Sequence, residues 1–279
     1  MPDPLTNALV QKSYLMPISN LHKCIFVHTP RTGGTSFRKM LKIDEEKSFS
    51  DFDRVNEKGL ARLSNKQSDL PSYHKPRVLQ KEHLLMSQMV QLNVADIDIF
   101  NSYFKFAFVR NPWDKLVSEY ANHYKKYCKD FDEYIIKVEQ IVNFINNNFK
   151  FDIEDLFYEE YSKLTFNILW NKKLDNNLMP WGGNEVHADP HFFPQHLFTH
   201  DLDGTILVDF IGRFEQYEED AQSILNHIGS SSSIEKMHSS DHPHYQEAYN
   251  SITRDIVAHI FQTDIKIFGY SFEGEKQWK

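Results

Sequence analysis

The sequence predicts an α/β fold with a central parallel sheet. Three segments rich in β-branched and aromatic residues predict buried strands, at 22–30, 103–110 and 205–214. Each is followed by a segment with helical periodicity, and strands that alternate with helices in this way form parallel sheets. With 279 residues and 41% hydrophobic content, the chain can bury the core of one large α/β domain or of two small ones.

The first predicted strand leads directly into a loop suited to an anion. In HTPRTGGTSF, Gly33 and Gly34 allow the backbone to fold closely around a ligand, and Arg31 carries a forked positive group that suits phosphate or sulfate. Hydroxyl groups are supplied by Thr32, Thr35 and Ser36. A helix is predicted directly after the loop, and its first backbone N–H groups are further donors. The segment therefore predicts a P-loop-like phosphate-binding loop over residues 31–36.

This loop is not a Walker A motif. The pattern GxxxxGK[ST] is absent, because no Lys-Ser or Lys-Thr pair follows the glycines. Its absence argues against an ordinary magnesium-dependent NTPase or kinase. A nucleotide-dependent kinase with an unusual loop is kept as an alternative.

The strongest strand prediction, YFKFAFVR, ends at Arg110 and is followed at once by a helix. Asn111 is a favoured N-cap, Pro112 a favoured first helical residue, and Asp114 suits the helix dipole. Helical spacing gives one apolar face, formed by Leu116, Val117, Tyr120, Ala121 and Tyr124. Arg110 and Ser118 both lie where they can reach a second phosphate at the carboxyl edge of the sheet. The residues alone equally allow a structural pair of Arg110 with Asp114 and a solvated Ser118.

The remaining elements are predicted in less detail. A long loop is predicted at 44–75, followed by a short strand at 77–80 and a helix at 87–92. Helices are predicted at 131–149, 216–228 and 245–263, with a flexible GSSSS linker at 229–233. Arg213, which follows the last strand, is predicted to pair with Glu215.

Composition excludes several classes of protein. Residues 21–129 contain 19 lysines and arginines against 12 acidic residues, whereas residues 130–279 contain 11 against 26. A basic N-terminal half suits an anionic ligand, although surface charge that drifts along a chain explains it equally well. Nucleic acid is a poor fit, because no dense basic run or reader motif occurs. Neither a membrane span nor a signal peptide is expected. The two cysteines suggest a reducing compartment.

Two motifs resemble those of the PAPS-dependent sulfotransferases, which use 3′-phosphoadenylyl sulfate as donor. HTPRTGGTSF resembles their 5′-phosphosulfate loop, and RNPWDKLVSEY resembles their 3′-phosphate motif. The match is best with the carbohydrate branch (sulfotransferase family 2), which includes the heparan sulfate 2-O- and chondroitin/dermatan-type enzymes. Further segments of similarity are KEHLL, PQHLF, VDFIGRFEQYEED and DIKIFGYSF. The resemblance therefore spans about residues 22–272.

The resemblance implies a three-layer fold related to nucleotide kinases and a role for each motif. Residues 31–36 hold the 5′-phosphosulfate, and Arg110 and Ser118 hold the 3′-phosphate. His83 removes the proton of the acceptor hydroxyl, and Arg31 stabilises charge on the leaving phosphate. The product nucleotide is adenosine 3′,5′-bisphosphate (PAP), and this chemistry requires no metal. Arg31 departs from the family, which usually has Lys there, so a non-catalytic nucleotide- or glycan-binding descendant is a second alternative.

The resemblance also suggests how the chain is organised. A single sulfotransferase domain is expected over 22–272, with an N-terminal extension at 1–21, a substrate-shaping insert at about 130–204 and a tail at 273–279. Gln195 and His196 are candidate contacts to a carbohydrate or glycolipid acceptor. No metal site is predicted. The HxxxH and HxH spacings lack a pattern of acidic or Cys partners that would complete a site. The histidines concerned are His187, His191, His196, His238, His242 and His244. Without an anchor, a bacterial cytoplasmic enzyme is expected; the oligomeric state is not predicted.

Overall fold

The computed structural model describes residues 18–41, 85–86, 97–148, 190–201, 203–234 and 244–275. The strands are β1 (Ile18–Ser19), β2 (Cys24–Val27), β3 (Phe104–Val109), β4 (Phe210–Arg213), β5 (Tyr270–Ser271) and β6 (Gly274–Glu275). The α-helices are α1 (Gly34–Met40), α2 (Ile97–Ser102), α3 (Pro112–Glu119), α4 (Phe131–Asn148), α5 (His196–Thr199), α6 (Tyr217–His227), α7 (Tyr245–Ala248), α8 (Ser251–Ile260) and α9 (Gln262–Phe268). A π-helical turn spans Tyr120–Tyr124, and 3-10 turns span Pro190–Phe192 and Phe214–Gln216.

Four strands form a central sheet in the order β1-β2-β3-β4. β2 pairs with β3 in parallel, β3 pairs with β4 in parallel, and β1 joins β2 as an antiparallel edge. Phe26 lies opposite Phe106, which in turn lies opposite Phe210. β5 and β6 form a separate antiparallel ribbon. The mixed α/β fold with a mostly parallel central sheet and flanking helices is therefore confirmed.

Both faces of this sheet are buried. On one face, Phe26, Phe106 and Phe108 pack with Phe37 of α1 and Tyr217 of α6. On the other face, the alternate strand residues pack into a larger core with α3, α4 and α8, through Val27, Ala107, Leu116, Ile141 and Val257. A parallel sheet covered by helices on both faces explains why its strands are apolar at nearly every position.

The third predicted strand is shorter than its hydrophobic pattern suggested. β4 covers only Phe210–Arg213, and Ile206 makes an isolated bridge to His200 while staying 59% exposed. The Asp209 N–H donates to the carbonyl of Lys105 at 2.7 Å, and the Asp209 carboxylate accepts from the Lys105 N–H at 2.8 Å. Pairing with β3 therefore begins opposite the start of β3, which limits β4 to four residues.

The predicted closing helix at 245–263 is three helices instead. Asn250 starts a new helix, because its side chain accepts from the Thr253 N–H at 2.9 Å and its own N–H donates to the Thr253 hydroxyl at 3.2 Å. α9 then runs on to Phe268 and ends at Gly269, which has φ 67°. The helices predicted at 131–149 and 216–228 are confirmed as α4 and α6.

Several sequence predictions lie outside the described residues. These are the loop at 44–75, the strand at 77–80, the helix at 87–92 and most of the segment 150–204. Within the part of the chain that is described, no helix combines the length and apolar character needed to cross a bilayer.

Candidate active site

The loop between β2 and α1 turns sharply. Arg31 and Gly33 both adopt left-handed backbone conformations, with φ 66° and 83°. For a non-glycine residue such as Arg31 this conformation costs about 1–2 kcal/mol. The carbonyl of Gly33 then accepts from the N–H groups of Ser36 and Phe37, at 3.1 and 3.2 Å, which starts α1. The first N–H groups of a helix have no acceptor within it, so this tight loop brings backbone donors close to Arg31.

Gly34 is required by a close approach within the protein itself. A Cβ built there would lie 1.9 Å from Cδ2 of His28. His28 is 4% exposed and stacks on Phe26 with ring centroids 5.4 Å apart, so it has little room to move. The sequence predicted close approach to an anion at this glycine; in the structure, the imidazole of His28 occupies the Cβ side.

The loop hydroxyls differ in their surroundings. Thr32 is fully buried, and its hydroxyl donates to the carbonyl of Thr29 at 2.8 Å. Thr35 is exposed and Ser36 is half-buried. Thr32 therefore stabilises the loop through its side chain, while Thr35 and Ser36 are accessible to a ligand.

The two predicted phosphate motifs meet at Arg31. Its Nη2 donates to the hydroxyl oxygen of Ser118 at 2.8 Å, although the two residues are 87 positions apart in the chain. Its Nε lies 3.6 Å from Oε2 of Glu119. Ser118 is fully buried, so it is not the solvated helix residue that the sequence alone allowed.

Arg110 reaches the same loop and also has its own acidic partner. Its Nε donates to Oδ2 of Asp114 at 2.8 Å, and its Nη1 donates to the carbonyl of Arg31 at 3.1 Å. The guanidinium carbon lies 4.0 Å from the centroid of the Phe214 ring. The pair with Asp114, one of the two alternatives that the sequence left open, is therefore present, and the same guanidinium also contacts the Arg31 loop.

Gln195 and His196 are held by a buried carboxylate that sequence analysis missed. The side chain of Gln195 bonds both backbone groups of Arg110, accepting from its N–H at 2.8 Å and donating to its carbonyl at 2.7 Å. Asp264 is fully buried and accepts from the N–H groups of Gln195 and His196, at 2.7 and 2.9 Å. It also lies 2.6 Å from Nδ1 of His196. Gln195 is fully buried, so its evident role is to fix Arg110.

A second missed cluster surrounds Glu119. Oε2 of this carboxylate lies 2.9 Å from Nδ1 of His191, whose ring centroid is 5.7 Å from that of His123. Nζ of Lys115 donates to the carbonyl of His191 at 2.6 Å. Burial raises the pKa of Glu119, but His191, followed by His123 and Lys115, more than offsets this and lowers it to about 2. Glu119 is therefore an ionised carboxylate near Arg31.

The site carries three positively charged side chains, Arg31, Arg110 and Lys115. Burial lowers the pKa of Arg31. Asp114 and Glu119 only partly compensate the three positive charges. Clustered guanidinium groups beside a loop with backbone N–H donors are suited to a ligand with two anionic groups.

Two other residues singled out by the sequence, His83 and Arg213, are not among the contacts described above. His83 lies outside the described residues. Arg213 donates to the carbonyl of Phe268 at 2.5 Å and lies over the ring of Tyr270. Its predicted partner Glu215 accepts from the N–H of Asn111 and from the hydroxyl of Tyr270. Among the described residues, no group of three or more His, Cys, Asp or Glu side chains is arranged to hold a metal ion.

Comparisons with known proteins identify the family. An uncharacterized protein of Archaeoglobus fulgidus is 28% identical over 132 residues, which cover 47% of this chain and 72% of that protein. No solved structure matches the chain. The model of the sulfotransferase family matches residues 16–271, which include the loop at Arg31, both ends of α3 and the Gln195 segment. The chain is therefore a member of the sulfotransferase family (sulfotransferase family 2).

Proposed function

We propose that this sulfotransferase moves a sulfuryl group from PAPS to a hydroxyl of a carbohydrate acceptor. The observation that carries the proposal is the 2.8 Å hydrogen bond between Arg31 and Ser118. It joins the two motifs that resemble the 5′-phosphosulfate and 3′-phosphate sites. Membership of the family supports sulfuryl transfer in general, and this contact supports a donor with phosphates at both ends.

Each end of the donor is assigned to its own set of residues. Arg31 and the loop through Ser36 take the 5′-phosphosulfate, with the accessible hydroxyls of Thr35 and Ser36 as donors. Arg110 and Ser118 take the 3′-phosphate. The guanidinium of Arg110 is held for this task by Asp114, the carbonyl of Arg31 and the ring of Phe214, and the amide of Gln195 fixes the backbone of Arg110. A guanidinium fixed in this way loses little freedom when it binds a phosphate.

The proposed reaction is an in-line displacement at sulfur. His83 accepts the proton of the acceptor hydroxyl as its oxygen bonds to sulfur. The bond from sulfur to the bridging phosphate oxygen breaks, and its electron pair stays on the phosphate of PAP. Arg31 stabilises the charge that develops there. The strongly acidic C-terminal half repels a heavily sulfated polymer, so we propose a less charged glycan or a lipid-linked sugar as the acceptor.

Ligand binding tests the donor first. PAP should raise the melting temperature more than ATP does, with or without Mg²⁺, because only PAP carries phosphates on both ends of the nucleoside. A larger shift with ATP and Mg²⁺ would favour a kinase. PAP binding without transfer from labelled PAPS to any glycan of a screened panel would favour a non-catalytic member of the family.

A substitution at Arg31 tests the assignment of the loop. Arg31→Ala should lower PAPS turnover by about 10²–10³-fold, as removal of one transition-state donor does. The matched control is Arg254→Ala, because Arg254 is partly exposed on α8 and pairs with the exposed Asp255. Unchanged turnover in Arg31→Ala would exclude the loop from the mechanism.

A further inference from the structure

We propose that His191 is a further catalytic residue of this site. Glu119 holds the imidazole of His191 beside Arg31, and the Nε2–H group of His191 donates a hydrogen bond to an oxygen of the sulfuryl group during transfer. No covalent bond forms at His191. This inference rests on the proposed function and assigns to the site a residue that the sequence motifs do not include.

The geometry ties His191 to the loop cation through one atom. Oε2 of Glu119 lies 2.9 Å from Nδ1 of His191 and 3.6 Å from Nε of Arg31. The imidazole and the guanidinium are therefore neighbours on the same carboxylate oxygen. The Glu119 side chain is only 2% exposed, so the surrounding protein fixes its direction and, with it, the direction of both partners.

The chemistry makes the second ring nitrogen a donor. An ionised carboxylate at hydrogen-bonding distance keeps a proton on Nδ1 and favours the imidazolium form, in which Nε2 also carries a proton. Among the described residues, the ring of His123 lies against this imidazole, and the ammonium of Lys115 bonds the backbone of His191. The His191 side chain is 19% exposed, so it is not sealed within the core.

Charge balance explains why such a donor is useful. Glu119 alone neutralises much of the positive charge of Arg31, which would weaken the site for an anionic group. A protonated His191 on the same oxygen offsets the carboxylate, and Arg31 keeps its attraction for the phosphosulfate. A purely structural role for His191 is the competing explanation, because a buried carboxylate also needs a partner for stability.

PAP and PAPS separate these explanations, because PAP has the phosphates of the donor without the sulfuryl group. In His191→Gln, the Kd for PAP should stay within about twofold of the native value, while PAPS turnover falls by about 10²-fold, as for loss of one oxyanion donor. The matched control is His259→Gln, because His259 is exposed in the last turn of α8 and should leave both values unchanged. Calorimetric titration gives the Kd, and release of PAP from PAPS gives the turnover.

A second variant keeps the imidazole and removes its partner. Glu119→Gln withdraws the charge that favours the imidazolium, so the decline of PAPS turnover with rising pH should begin at a lower pH than in the native protein. This shift is a readout that a change in stability alone would not produce.

The outcomes are distinguishable. If His191→Gln weakens PAP and PAPS equally, or turns PAPS over at the native rate, the sulfuryl contact is wrong while the proposed function stands. An unshifted pH profile in Glu119→Gln also overturns the role of the pair. If the native protein binds neither nucleotide, the proposed function fails and this inference fails with it.

Discussion

Gly34→Ala tests whether the loop depends on contact with the buried imidazole of His28. The added Cβ would lie 1.9 Å from Cδ2 and 2.1 Å from Nε2 of that ring. Ordinary carbon contacts lie at about 3.5–4.0 Å, so the ring or the loop must move by about 1.5–2 Å. Such overpacking typically costs about 1–3 kcal/mol. The higher helix propensity of Ala returns up to about 1 kcal/mol, so from the middle of that range the net loss is about 1 kcal/mol.

A double-mutant cycle with His28→Ala isolates the clash. His28→Ala alone should destabilise the protein, because it opens a cavity beside Phe26. In the double variant the Cβ added by Gly34→Ala enters that space. The loss of unfolding free energy in the double variant should therefore be about 1–3 kcal/mol smaller than the sum of the losses in the two single variants. Urea unfolding gives the free energies. PAP titration should show weaker binding in Gly34→Ala, because the displaced loop carries Arg31.

Gly204→Ala serves as the control for backbone effects. Gly204 has φ +85° with nothing within 4 Å of an added Cβ, so it should lose only about 1 kcal/mol and leave PAP binding unchanged. Additive free energies in the His28 cycle, within about 0.5 kcal/mol, would show that His28 does not enforce the glycine.

Two further substitutions test the buried carboxylates. Asp264→Ala should lower the free energy of unfolding in urea by about 3–5 kcal/mol, because it leaves the N–H groups of Gln195 and His196 without their acceptor. The control, Asp255→Ala on the surface, should lower it by less than about 0.5 kcal/mol. Equal losses in the two variants would contradict this role of Asp264. Glu119 has a pKa lowered from 4.5 to about 2, so its contribution to stability, about 3 kcal/mol, is present above about pH 4.5 and is lost as pH falls towards 2. Glu119→Gln should flatten the stability curve in that window, and an unchanged acid slope would contradict the lowered pKa.

The sheet was predictable because its signal is local and dense. The apolar runs around Phe26 and Phe106 are buried on both faces, and within β2 and β3 only Lys105 interrupts the pattern. The start of β4 was less predictable, since it depends on where β3 begins and not on the composition of β4 itself. The break at Asn250 carried a local signal in its N-cap and Thr253, but the apolar spacing on both sides concealed it.

In the candidate site, too, the residues in local motifs could be predicted, whereas contacts between distant parts of the chain could not. Arg31, Arg110 and Ser118 lie in motifs adjacent to strands, so the topology of a parallel sheet brings them to one edge. Glu119 and Asp264 act on residues more than 65 positions away in the chain, at His191 and Gln195. No spacing within either segment records such a contact. Buried carboxylates with distant partners therefore become visible only when the chain is folded.

Arg31 explains how the site tolerates a departure from the motif that it resembles. Where that motif usually has Lys, this chain places a guanidinium that donates to Ser118 through Nη2 while its Nε lies near Glu119. A lysine ammonium is a single point charge and cannot span both partners in this fixed geometry. Because Glu119 is buried and ionised, the loop cation here must also serve a carboxylate. The arginine and the Glu119–His191 pair are therefore best understood as one coupled arrangement, in which the fork supplies the second contact that the buried acid requires.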